Sequence, residues 1–181
     1  MDKNAQLRDV KQKVDKAITK IFERDLYLLI NDLNERTIAH KYATYLQEQF
    51  SEYDVDCEYN KNADEDKKKK MIYIVEKEYW KIKRLKRTFS ADIIQNNIEY
   101  MALSIFPDII VHKRGENLRN HLIVEIKKST NNNLHEKNFD LTKLNCYTDK
   151  TRHNRLAYEF GVFIEFETGV QDPAKPKTTW F

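Results

Sequence analysis

Two short apolar runs constrain this chain more than any other feature. Ile109-Ile110-Val111 and Leu122-Ile123-Val124 are rich in β-branched residues and short enough to be strands rather than helices. Between them lies a connection containing Gly115 and Asn117, residues that favour turns. Residues 108–112 and 121–127 therefore read as the two strands of a hairpin. The second run is apolar on both flanks, so its strand is expected inside a sheet rather than at an edge. Charged residues stand at the strand ends: Asp108 opens the first strand, and Glu125 and Lys127 close the second. Side chains alternate along a strand, so Glu125 and Lys127 share a face while Ile126 points the other way. If the turn centres between Glu116 and Asn117, Asp108 lies opposite Glu125. A slip of one residue would send them to different faces.

Under that register, two carboxylates and an ammonium converge. Carboxylate oxygens from Asp108 and Glu125, with the backbone carbonyl of Ile126, suit Mg2+, which keeps water in its remaining positions. Mn2+ is expected to substitute. Such an ion lowers the pKa of a bound water and neutralises charge on a phosphate. Lys127 is then placed to position or activate that water, or to stabilise charge. The plain alternatives are a turn-starting aspartate after Pro107 and a solvent-facing pair on an edge strand. The joint spacing and the apolar flanks favour the site. No rival reactive set is present: there is no glycine-rich phosphate loop, no GxSxG and no HExxH.

The rest of the chain reads as a mixed α/β domain. Leu7, Val10, Val14, Ala17 and Ile21 form one helical stripe, able to pack on the domain or on a second subunit. A second helix begins after Asn34, a suitable N-cap, with Glu35 in its first turn and Ile38, Tyr42, Leu46 and Phe50 on its buried face. Val55, Cys57 and Tyr59 alternate with acids, as in a half-buried strand. Residues 71–82 suggest a strand or strand pair, and 90–105 suit either a helix or a strand. A helix is expected around 140–148, with Leu141 and Leu144 inward, and a last strand over 158–167. Residues 171–181, with Pro173 and Pro176, read as a loosely ordered tail. The expected organisation is one domain over 1–181: a helical extension over 1–30, a core over 31–170, and the tail.

Pro107-Asp108 followed by Glu125-Ile126-Lys127 resembles the PD-(D/E)xK motif of restriction-endonuclease-like nucleases. The resemblance spans roughly residues 30 to 170. It implies a core of α-β-β-β-α-β order around a mixed central sheet, and Mg2+-dependent hydrolysis of phosphodiester bonds in nucleic acid, DNA rather than RNA. Asp108 and Glu125 would bind the metal, and Lys127 would serve the water. Glu35 is placed to play the part of the glutamate that the first helix of such cores often carries. Asp140 with Lys143-Leu144 resembles a D-x-x-K-L pattern on the later helix of some members, and Glu58-Tyr59-Asn60 is similar to a strand of the same group. Glu58, Asp140 and Lys143 are therefore secondary candidates; taken singly, each also suits an exposed or helix-terminal position. The segment 61–105 exceeds what a minimal core needs.

Composition sets the setting. Charged residues are 34% of the chain, and no apolar run is long enough to span a bilayer, so no membrane partner and a cytoplasmic location are expected. The net charge of +3 permits nucleic-acid binding without arguing for it. Lys81, Lys83, Arg84, Lys86 and Arg87 form a basic segment suited to phosphates. Cys57 and Cys146 lack zinc spacing and are expected to be small buried hydrophobes, free of a disulfide. A homodimer is expected, since cutting two strands commonly uses two sites. The rival reading is a catalytically silent module of the same fold that binds nucleic acid or a protein partner.

Overall fold

The structure is a computed structural model, and it describes residues 2–60, 70–75, 89–95, 98–116, 119–150 and 156–181. A five-stranded mixed sheet carries the hairpin at its centre. Its strands are β1 (Asp54–Cys57), β5 (Ile109–His112), β6 (Leu122–Lys128), β7 (Phe160–Phe166) and β8 (Lys177–Trp180), in the spatial order β1-β5-β6-β7-β8. A second sheet holds β2 (Met71–Val75), β3 (Phe89–Gln95) and β4 (Ile98–Ser104) in the order β2-β4-β3.

The hairpin register is the one that the sequence implied. Ile109 faces Val124, Ile110 faces Ile123 and Val111 faces Leu122. One residue further along, Asp108 falls opposite Glu125. β6 runs parallel to β7, and the connection between them is a helix, as a parallel crossover requires. Every residue of β6 from Leu122 to Lys127 is buried, which explains why this strand reads as a nearly continuous apolar run rather than an alternating one.

Helices cover one face. α1 (Lys3–Arg24) is capped by Asp2, α2 (Leu26–Ile30) follows, and α3 (Glu35–Gln49) is capped by Asn34, whose side chain accepts from the Arg36 N–H. Val10, Val14, Ala17 and Ile21 of α1 pack with Ile38, Tyr42 and Leu46 of α3 against Val124, Ile126, Val162 and Ile164. The stripe of α1 is thus spent on the domain itself. The opposite face is covered by α4 (Leu134–Thr148) and by the small sheet, where Phe139, Leu144 and Tyr147 meet Ile72, Ile74, Leu103, Ile110 and Ile123.

Four expectations change. The stretch that suited either a helix or a strand is a pair of strands, β3 and β4, because each side of β4 gains a partner. The C-terminal stretch is not loose: β8 pairs with β7 from Val162↔Trp180 to Glu165↔Lys177, filling a sheet edge that would otherwise lie open. Cys57 is exposed rather than buried, since β1 is an edge strand, while Cys146 is half-buried; both are free thiols. The later helix starts at Leu134, earlier than its apolar pattern suggests, because Asn133 caps it through His135 and Glu136. The basic segment containing Lys81, Lys83, Arg84, Lys86 and Arg87 lies outside the described residues. Among the described residues, no helix is long and apolar enough to cross a membrane.

Candidate active site

At the end of β6 the sheet face changes character. Ile123 is apolar and packed beneath α4, but Glu125 and Lys127, next on the same face, are charged and still buried. Burying charge is costly unless partners are supplied. α4 supplies them. Asp140 and Lys143 stand one turn apart on its inner face, 4% and 3% exposed. Lys143 Nζ lies 2.8 Å from Glu125 Oε2 and 2.7 Å from Asp140 Oδ1. Lys127 Nζ lies 2.9 Å from Asp140 Oδ2 and 3.3 Å from Glu35 Oε2. Asp108 joins from the other strand: its Oδ2 accepts from the Ile126 N–H at 2.8 Å, closing the end of the ladder.

Two buried carboxylates, Glu125 and Asp140, and the half-buried Asp108 thus face two ammonium groups, so the cluster holds more carboxyl groups than cations. Burial holds the Glu125 carboxyl well above its ordinary range, against the pull of Lys143, and burial likewise raises Asp108. Burial also opposes the charge on Lys127 and Lys143, but the carboxylates outweigh it and raise both lysines above their ordinary value. Both are therefore ammonium at neutral pH. A charged Lys127 can donate hydrogen bonds and stabilise an anion.

Glu35 is brought to this cluster but is already engaged. Its Oε1 accepts from the Lys128 N–H and from Asn131 Nδ2, both at 3.2 Å, while Oε2 meets Lys127. It thereby fixes the end of β6 and the position of Lys127. Glu58, at φ 50° just past β1, pairs with the Arg36 guanidinium at 2.9 Å on the rim.

A cleft of about 860 Å³ opens onto all of these groups, with Asp108, Glu125, Lys127, Asp140 and Lys143 at its floor and residues of α3 along one wall. That volume matches a small-molecule or single-nucleotide site. Arg36, His40, Ser104 and Phe106 also line it, and none was singled out by sequence. Arg36 and His40 are four apart on α3, a spacing that shares a helix face, but their relation to the hairpin depends on how α3 packs.

The donor set can be tested against a divalent cation. Among the described residues, Glu125 Oε1 is buried without a hydrogen-bond partner. A buried, unpaired carboxylate oxygen next to a second carboxylate, in a cluster short of positive charge, fits a hard cation. Among the described residues, however, no three His, Cys, Asp or Glu side chains gather into one metal-holding group. A cation here would draw on two carboxylates and complete its shell with the Ile126 carbonyl and water.

Fold and site together define a mixed α/β protein with a buried carboxylate–lysine centre at the end of its central strand. Comparison with protein-family models, with curated proteins and with solved structures finds no match in any of the three.

Proposed function

We propose that the protein is a Mg2+-dependent nuclease of the PD-(D/E)xK type, hydrolysing phosphodiester bonds in DNA. The observation that carries this reading is the register of the central hairpin, which sets Asp108 across from Glu125 with Lys127 on the same face. The order α3, β1, β5, β6, α4, β7 agrees with the α-β-β-β-α-β core of restriction-endonuclease-like proteins.

Asp108 and the free oxygen of Glu125 would hold the metal, with the Ile126 carbonyl beside them. The ion, when bound, supplies an acidified water and a counter-charge for the phosphate. Lys127, kept protonated by Asp140 and Glu35, would position the attacking water and stabilise charge growing on the phosphoryl oxygens. Asp140 and Glu35 fix the lysine. Lys143 holds the other oxygen of Glu125, so Oε1 would be the one available to a cation. Two ammonium groups already pair with the carboxylates, and that same observation is what a catalytically silent module of this fold would display.

The deciding experiment is cleavage of plasmid, linear and single-stranded DNA with Mg2+ or Mn2+, comparing wild type with Asp108→Ala and Lys127→Ala. Metal-dependent cutting that falls at least a hundred-fold in both variants supports the nuclease. Wild type that cuts nothing and takes up no metal by calorimetry moves the reading to the silent module.

A further inference from the structure

We propose that the cleft takes an unpaired nucleobase against Phe106, so that the substrate is single-stranded or locally melted DNA rather than intact duplex. This rests on the nuclease reading and adds the substrate class to it.

The first ground is Phe106 itself. Large apolar side chains exposed among the described residues are Tyr27, Val75, Phe106, Leu134 and Val170. Phe106 is the one that lines the cleft, and its ring is 51% exposed there. It sits between β4 and β5, two residues before Asp108, so chain connectivity alone ties the ring to the reacting centre. Its neighbours in sequence behave differently: Ile105 and Ile109 are wholly buried. An exposed aromatic face beside a phosphate-directed site offers a stacking platform, since every base has a π-face. A paired base inside a duplex already stacks on its neighbours and cannot use it.

The second ground is depth. Glu125, Asp140 and Lys127 are 1%, 4% and 8% exposed, so the chemistry lies at the floor of the cleft. A flexible single strand can lower one phosphate to that floor. A base held in a duplex would have to leave its stack to follow the phosphate to that depth.

The third ground is the rim. The Arg36 side chain is 82% exposed and pairs with the half-exposed Glu58. An exposed pair of this kind is weak and exchanges readily, so the guanidinium can turn to a backbone phosphate as a strand enters. His40, also exposed, stands one turn further along the same wall.

The test is binding of a fluorescein-labelled oligothymidylate 12-mer, alone or annealed to its oligodeoxyadenylate complement, to the full chain in EDTA, where no cutting occurs. Wild type, Phe106→Ala and Phe106→Tyr are compared, with circular dichroism as a check on folding. The expected result is single strand bound about ten-fold more tightly than duplex. Phe106→Ala should lose about ten-fold on single strand and keep its duplex affinity, while Phe106→Tyr stays near wild type. Equal affinity for both DNAs, or a Phe106→Ala variant that binds single strand like wild type, overturns the stacking role. If wild type nonetheless cuts DNA and Asp108→Ala does not, the nuclease reading survives that result. Absence of binding to either DNA, with no cutting of any substrate, overturns both.

Discussion

Lys70 shows how much a single residue can be asked to bear. It is 1% exposed, its ammonium donates to Tyr158 Oη at 2.5 Å, and the rings of Tyr59 and Tyr158 lie 5.5 and 5.0 Å away. Asp56 is the acid that acts on it, and His112, paired with Asp56, is the titratable neighbour. Burial outweighs the acid and pushes the lysine down to about 8, from 10.5 in the unfolded chain. Below pH 8 the ammonium is charged in both states and the folded state bears the full desolvation cost. Between 8 and 10.5 the folded state releases its proton first, so stability contributed by this residue rises with pH. In urea titrations, wild type should therefore gain about 2–3 kcal/mol relative to Lys70→Met between neutral pH and pH 10.5. A gap that stays constant with pH would show that Lys70 is not perturbed.

At the scale of elements, the contact between α4 and β7 decides whether the site assembles. Gly161 in β7 allows it: a Cβ there would come 3.0 Å from Thr148 Cγ2 and 3.3 Å from Phe181 Cβ. Gly161 also exchanges backbone hydrogen bonds with Phe181. Gly161→Ala should destabilise the fold by about 1–3 kcal/mol through overpacking. Because α4 carries Asp140 and Lys143, the proposed DNA cleavage should fall as well. A thermal melt and a cleavage assay on the same preparation check this, and an unchanged melting temperature would refute it. The elements also show what was legible in sequence. The hairpin was readable because its register follows from the turn and from two apolar runs. That Asp140 and Lys143 meet Glu125 and Lys127 was suggested only by resemblance, since helix periodicity names an inward face but not the strand it covers. β8 was missed because a short, polar strand is made by its partner rather than by its own propensity, and β3–β4 was left open because Ile94, Ile98 and Met101 also fit a helical spacing.

For the molecule as a whole, the proposed cation ties stability to metal binding through the surplus of carboxyl groups at the site. A cation that binds only the folded state raises its stability by mass action. Mg2+ at millimolar concentration should raise the melting temperature of wild type by a few degrees and leave Asp108→Ala unmoved. Protons compete for the same oxygens. Burial holds Asp108 and Glu125 above the ordinary carboxylate range, so the folded apo protein binds protons that the unfolded chain has already lost. Mg2+ affinity measured by calorimetry should accordingly strengthen as pH rises from 5 to 8, with proton release on binding. An affinity independent of pH would remove these two carboxylates as ligands.

The small sheet leaves and rejoins the main one at nearly the same place. Lys70 N–H bonds to Asn60, Ile105 N–H bonds to the Lys70 carbonyl, and Asn60 Nδ2 reaches Ser104 Oγ at 3.4 Å. Beyond this stitch, the Glu58 N–H bonds to the Asp108 carbonyl, and β1 and β5 continue as though joined by a simple turn. The described strands of the small sheet thus enter and leave beside β1 and β5, and Ile72, Ile74 and Leu103 tie them a second time to the core beneath α4. Removing that sheet would strip cover from Ile110, Ile123, Phe139 and Tyr147, so the strands that carry Asp108 and Glu125 are held in place partly by a segment that contributes no charge to the centre.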